Sequence, residues 1–235
     1  WSKEFRPDEL KIYPTSVIKN TVLEQYFNEG KYKPYTHKQL LNLFVNILPT
    51  TPRYARLTRI VRDIPSNEIL SGNKSTNFRQ IAEKEIKRLG KNIQDIRSRE
   101  IKGENVKWDN LELETIKYET SVSKEYFISY KTKDTDKICS FLRFSIPKKE
   151  TYIEDLKNSS IIREVHVYGN VVNIGNESKG ESQHLGLGKK MIQIAEHISK
   201  KEGFKKISVI SAIGTKEYYS KRGFIKSPLY MTKSI

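Results

Sequence analysis

The sequence predicts an α/β protein of the α+β kind, with a mixed sheet in the second half of the chain. Three observations lead there. From about residue 111, four segments in succession (LELETIKYET, KEYFISYKT, KICSFLRFSI and SIIREVHVYG) are rich in β-branched and aromatic residues, and hairpin signals such as KTKDTDK separate them. After them come an amphipathic stretch, KKMIQIAEHISKK, the apolar run KKISVISA, a short helical stretch, GTKEYYSKRG, and a last strand, SPLYMTKSI. Antiparallel strands that give way to strand, helix, strand, helix, strand require both kinds of pairing in one sheet. Residues 1–77, in contrast, alternate short strands with helices.

Taken in order, LKIYPT (10–15) is a short strand stopped by Pro14. SVIKNTVLEQYFNEG has helical spacing of Val22, Leu23, Tyr26 and Phe27, with Gly30 closing it. THKQLLNLFVNILPTTP is a helix capped by Thr36 and ended ahead of Pro49 and Pro52. In RYARLTRIVRDIP the β-branched core and Pro65 favour a strand, although Arg53, Arg56, Arg59 and Arg62 recur at a spacing that would line one side of a helix. After a loop, SNEILSGNKSTN, the helix FRQIAEKEIKRLG places Phe78, Ile81, Ala82, Ile86 and Leu89 on one face. KNIQDIRSREIKGENVKW is basic and poorly periodic, and reads as a connector. The expected organisation is therefore a first unit at 1–77, a basic linker with a helix at 78–110, and a second unit at 111–235.

At 235 residues, 36% hydrophobic and 30% charged, the chain has enough apolar material for an ordinary core beneath a well-solvated surface, so a folded rather than disordered protein is expected. No apolar stretch approaches the roughly 20 residues that span a bilayer, and the first residues lack the apolar centre of a secretion signal; an intracellular, cytoplasmic protein with no membrane partner is expected. The lone Cys139 with four scattered histidines offers no zinc-type cluster, and its place in KICSFLRFSI suits a buried, inert thiol. A net charge of +15 draws polyanions at long range, with nucleic acid the leading partner ahead of acidic proteins or a membrane surface. Four arginines from Arg53 to Arg62, with no acid before Asp63, suit bidentate phosphate contacts, and equally a solvated rim.

The turn Gln183-His184-Leu185-Gly186-Leu187-Gly188 leads straight into a helix. Glycines there let backbone N–H groups converge on an anion at the positive end of the helix, with Lys189 and Lys190 close by. The third glycine and the later acid of a dinucleotide turn are missing, as is the Gly-Lys-Ser/Thr ending of a P-loop.

This turn resembles the Gln/Arg-x-x-Gly-x-Gly/Ala signature of the GCN5-related N-acetyltransferase (GNAT) superfamily, whose amides bind the pyrophosphate of acetyl-CoA. SIIREVHVYG looks like that fold's central strand, KKISVISA like the partner that splays from it, and YYSKRGF like its aromatic-Tyr-x-Lys-x-Gly-Phe segment. The resemblance implies that Val165 and Val167 offer backbone groups to the pantetheine amides, and that Tyr219 protonates the departing thiolate. Tyr218 is its close competitor, one of the two being expected in the core. Glu164 and His166 alternate on one face of the strand, placed to act as base or to polarise a water at the acetyl end, while a purely structural His166 stays open.

FRPDELKIYPT, YKPYT, RIVRDIP, DIRSRE, REVHVYG and QHLGLG…YYSKRGF, in that order across nearly the whole chain, resemble the family of Elongator catalytic subunits. That resemblance implies the end of a radical S-adenosylmethionine (SAM) barrel at 1–77 and an acetyltransferase domain at the C-terminus. It also implies an acetyl-CoA-dependent acyltransferase in tRNA modification, which starts a carboxymethyl group on the wobble uridine, U34. Arg53, Arg56, Arg59, Arg62, Arg97 and Arg99 would then line a tRNA-binding groove, and other Elongator-like subunits would be partners. Two departures stand out. The cysteine triad that holds the family's iron–sulfur cluster is missing, so radical chemistry is not expected on this chain alone, whether it is part of a longer protein or a variant keeping the later half. Ile93 and Gln94 stand where the family linker carries cysteines, so no zinc is expected. The alternatives are a protein lysine acetyltransferase, with Glu164 or a neighbour as base, and a non-catalytic tRNA-binding module.

Overall fold

The computed structural model describes residues 1–104, 106–168 and 186–235. By its contacts the chain forms two compact units, one of Trp1 and Pro7–Ser98, the other of Ser2–Arg6 and Arg99–Ile235. Among the described residues no helix is long and apolar enough to cross a membrane.

The first unit runs β1 (Glu9–Ile12), β2 (Val17–Ile18), α1 (Val22–Asn28), α2 (His37–Ile47), β3 (Arg56–Ile60), β4 (Ile69–Ser71), α3 (Phe78–Arg88) and α4 (Ile96–Arg99), the last ending one residue into the second unit. A full capping box starts α2. The Thr36 hydroxyl accepts from the Gln39 N–H at 3.3 Å while Gln39 Oε1 accepts from the Thr36 N–H at 2.9 Å, a cap that contributes about 1 kcal/mol. Leu40, Phe44, Leu57, Ile60, Phe78, Ala82 and Ile86 form its core, with the Phe44 and Phe78 rings edge to face at 5.3 Å. The helix α3, expected in a linker, thus belongs to this unit, and the boundary falls at Ser98 and Arg99 rather than at residue 77.

The poorly periodic connector is held by a polar anchor that periodicity cannot reveal. Asp95, 0% exposed, accepts from the N–H groups of Leu57 (3.0 Å), Arg97 (3.2 Å) and Ser98 (3.3 Å) and from Arg79 Nη2 (3.3 Å). Arg79 Nη1 in turn donates to the Leu57 carbonyl at 2.7 Å, so side chains complete the edge of β3 that β1 leaves unpaired. The arginine-rich segment is a strand, as its β-branched core predicts, and pairs parallel with β1. Two short strands depart from expectation: β2 lies in a segment whose spacing predicts a helix and β4 in the expected loop, and the two pair antiparallel. Helix α1 is correspondingly shorter, and Val22 and Tyr26 of its apolar stripe are exposed.

In the second unit β5 (Leu111–Glu119), β6 (Ser123–Thr132), β7 (Ile138–Pro147) and β8 (Ser159–Val167) form an antiparallel meander. Then follow α5 (Leu187–Lys201), β9 (Lys206–Val209), α6 (Lys216–Ser220), β10 (Ile225–Lys226) and β11 (Met231–Ser234). Among the described residues they make a mixed seven-stranded sheet of order β10-β11-β9-β8-β7-β6-β5, in which β8 and β9 are the parallel pair, as the α+β expectation requires. Met191, Ile192 and Ala195 are the buried stripe of α5, which lies against β7 and β8. Cys139 is fully buried in β7, and desolvation pushes its thiol up to about 11, an inert state at neutral pH.

Candidate functional site

The centre of the sheet opens partway along β8. Strand β9 accompanies β8 only from Ser159 to Ile162, whereas β7 follows it to Val167. At that point β8 carries a bulge, since Phe144 faces Ile162 but the next β7 residue back, Arg143, faces Glu164. The Tyr168 N–H donates to the Cys139 carbonyl at 2.9 Å, so antiparallel alternation directs the N–H and C=O of Val165 and Val167 away from β7, toward the opened edge.

Helix α5 begins beside this opening. Gly186, its N-cap, sits at φ +65°, a left-handed conformation in which side chains cost about 1 kcal/mol or more, and the space around its absent Cβ is open. A Cβ on Gly188 would lie 2.5 Å from the Tyr218 hydroxyl and 3.6 Å from Cγ2 of Val167. One point therefore gathers the helix start, the opened strand and a phenol. Leu187 and Gly188 are buried, and Lys189 is exposed. Gln183, His184 and Leu185, also expected at this site, lie outside the described residues.

The two tyrosines of α6 occupy different environments. Tyr219 is buried edge to face against Phe224 at 5.6 Å, and desolvation pushes its hydroxyl up to about 12. Tyr218, half-buried, reaches Gly188. Burial raises its hydroxyl above the ordinary tyrosine value, opposed by the Arg222 guanidinium over its ring. Both remain protonated at neutral pH. The tyrosine at the opening is Tyr218, and Tyr219 is the one that packs inside.

On the face of β8 away from α5, Arg143 Nε donates to Glu164 Oε2 at 2.8 Å. Arg143 is only 1% exposed, and its guanidinium lies over the Phe127 and Phe141 rings at 5.5 and 5.4 Å. His166 is stacked on Phe141 at 5.7 Å and against Tyr168 at 4.3 Å. Glu164 and His166 do share a face, but each is fixed by neighbours. Sequence reasoning missed Arg143, although an arginine inside the apolar run ICSFLRFSI was its visible signal. It missed Arg222 too, which follows Tyr218 at helical spacing.

The arginines divide. Arg59 and Arg62 are exposed on and just after β3, with Arg59 Nη1 2.9 Å from Asp63. Arg97 is exposed and its guanidinium donates to the Thr58 carbonyl, which brings it beside Arg59. Arg53 and Arg56 are half-buried, Arg53 donating to Gln94 at 3.4 Å. Arg99 does not belong with them: it is 5% exposed, with Nη1 3.7 Å from both Glu114 and Asp136, inside the second unit. Two carboxylates drew it inward, which its sequence neighbours did not reveal.

Residues 7–88 match the family described as the Radical_SAM C-terminal domain. Elongator complex protein 3 of Saccharomyces cerevisiae is 38% identical over 240 residues, covering 99% of this chain and 43% of the relative. The human protein of the same name is 37% identical, covering 98% and 43%. A solved structure of the archaeal Methanocaldococcus infernus Elp3, with residues 1–46 deleted, superposes with a TM-score of 0.88 at 32% identity, covering 98% of this chain and 56% of that one. The chain thus spans less than half the length of these curated relatives. The mixed sheet, opened at β8 beside the start of α5, follows the segment that matches the Radical_SAM C-terminal domain. Over nearly its whole length, this chain is similar to part of Elongator complex protein 3.

Proposed function

We propose that the second unit binds acetyl-CoA and turns it over as the acyl-handling part of a tRNA wobble-uridine-modifying enzyme, with tRNA and other Elongator subunits as partners. The observation that carries this reading is the convergence, at Gly188, of the opened strand β8, the start of α5 and the Tyr218 hydroxyl. The residues fit the cofactor: a Cβ at Gly188 would fill the cradle, and two residues of β8 turn amides to an edge that no strand takes among the described residues.

Acetyl-CoA supplies an activated acetyl group as a thioester. Val165 and Val167 hold its pantetheine amides as a neighbouring strand would, and the amides from Gly186 to Gly188, with Lys189 close by, bind the pyrophosphate. Gln183, His184 and Leu185, which precede Gly186 in the sequence and lie outside the described residues, share this role in the same reading. Tyr218 keeps its proton at neutral pH and would give it to the departing CoA sulfur as the acetyl group passes to water or to the tRNA-bound acceptor. Glu164, oriented by Arg143, and His166 meet the acetyl end. In the lysine-acetyltransferase alternative the base is Glu164, one of whose oxygens accepts from Arg143. Arg53, Arg56, Arg59, Arg62 and Arg97 contact tRNA phosphates.

Release of free CoA thiol from acetyl-CoA by the purified chain, with and without tRNA, tests the reading. Stimulation by tRNA is expected. Binding of tRNA with no thiol release in either condition would leave a non-catalytic RNA-binding module.

A further inference from the structure

Trp108 has no role in the scheme above, yet its setting is built. It lies in a 3-10 turn, Trp108–Asn110, between Val106 and Leu111, and both of these share a buried cluster with Leu187, the first residue of α5. The turn is therefore fastened beside the helix start by its own apolar flanks. The indole is nevertheless 40% exposed. The Tyr130 ring supports it at 5.6 Å, and the Lys190 ammonium, from the first turn of α5, lies 4.5 Å from its ring centroid. A large aromatic surface is left in water next to a cation, although burial of such surface is favourable. A flat, anion-bearing ligand suits that pairing, and a nucleotide has both parts.

We infer that Trp108 is the stacking platform for the adenine of the CoA nucleotide, with Lys190 serving its phosphates. This rests on the acetyl-CoA reading of the α5 start. Chemically, a nucleobase stacks on a rigid indole through dispersion and ring electrostatics, and the neighbouring ammonium neutralises the phosphate charge that arrives with it. Anchoring by Tyr130, Val106 and Leu111 fixes the ring in place before binding, so little side-chain freedom is sacrificed when the base docks.

Trp108 and Trp1 are the only tryptophans, so a Trp1→Phe background isolates the signal. CoA should quench Trp108 fluorescence and 4′-phosphopantetheine, which lacks the base, should not. Trp108→Leu should weaken CoA binding by roughly tenfold, the size of one base–aromatic stack, and leave 4′-phosphopantetheine binding unchanged. Trp108→Phe should fall between, and circular dichroism of each variant checks the fold. CoA binding that is equally tight with Trp108→Leu, or quenching by RNA and not by CoA, overturns the assignment while leaving the acetyl-CoA site intact. Failure of calorimetry to detect CoA binding to the unmodified chain overturns both.

Discussion

At the scale of single residues, the chemistry depends on which of two adjacent tyrosines faces the opening. Side-chain packing separates them: Phe224 draws Tyr219 inside, and Tyr218 reaches Gly188. Replacing Tyr218 with Phe should reduce acetyl-CoA turnover by about 10²-fold or more with CoA affinity little changed, the usual loss for a positioned acid. Unaltered turnover, measured as thiol release, would move the proton donor elsewhere. Tyr219→Phe should leave turnover nearly unchanged, since this ring packs against Phe224 rather than at Gly188. A methyl on Gly188 would fall 2.5 Å from the Tyr218 hydroxyl, too close to be tolerated, so in Gly188→Ala the phenol must move off this point and CoA binding and turnover should weaken together. CoA affinity by calorimetry is the check, and an unchanged value would remove Gly188 from the cradle.

At the scale of elements, two polar anchors hold pieces that hydrophobic pattern alone does not place. Asp95→Asn removes the charge that gathers three backbone N–H groups and Arg79, and should cost about 1–3 kcal/mol in urea unfolding. At its far end α5 is tied to β6 through Glu202, which accepts from Lys124 and Tyr126; these bonds hold its carboxyl below the ordinary value. The depressed folded-state value means that this stabilisation is complete above the unfolded carboxyl pKa, about 4.3, and disappears as pH falls through the folded value. Thermal melts from about pH 6 to about pH 3 should show that decline, and Glu202→Gln should flatten it. Helices α2, α3 and α5 are legible because an apolar face is written into their spacing, and the β5–β8 meander because its segments are rich in β-branched and aromatic residues and separated by hairpin signals. β2, β4 and the Asp95 anchor are not, since two- and three-residue strands carry no period and a single carboxylate carries no pattern. The same limit applies to the site. The glycine turn and tyrosine pair can be read as motifs, but the choice between the tyrosines and the inward turn of Arg99 depend on packing against distant segments.

At the scale of the whole molecule, a net charge of +15 guarantees attraction to polyanions without saying which cations engage them. Exposure narrows the choice. Converting Arg59, Arg62 and Arg97 to Gln should lower the log–log salt slope of tRNA binding by about 0.7–0.9 for each phosphate left without its arginine, as read by filter binding at several salt concentrations. Arg99→Gln should leave that slope unchanged and lower stability, because its partners are Glu114 and Asp136. The incomplete pairing of β8 has a mechanical consequence too. Among the described residues no strand takes the β9 side of β8 beyond Ile162, so the sheet is weakest where β9 departs, and a bound pantetheine arm would act there as a strut. Occupancy of the site should therefore register as slowed amide exchange in β9 and β11, beyond the groups that touch the ligand, coupling the firmness of the C-terminal strands to the supply of acyl donor.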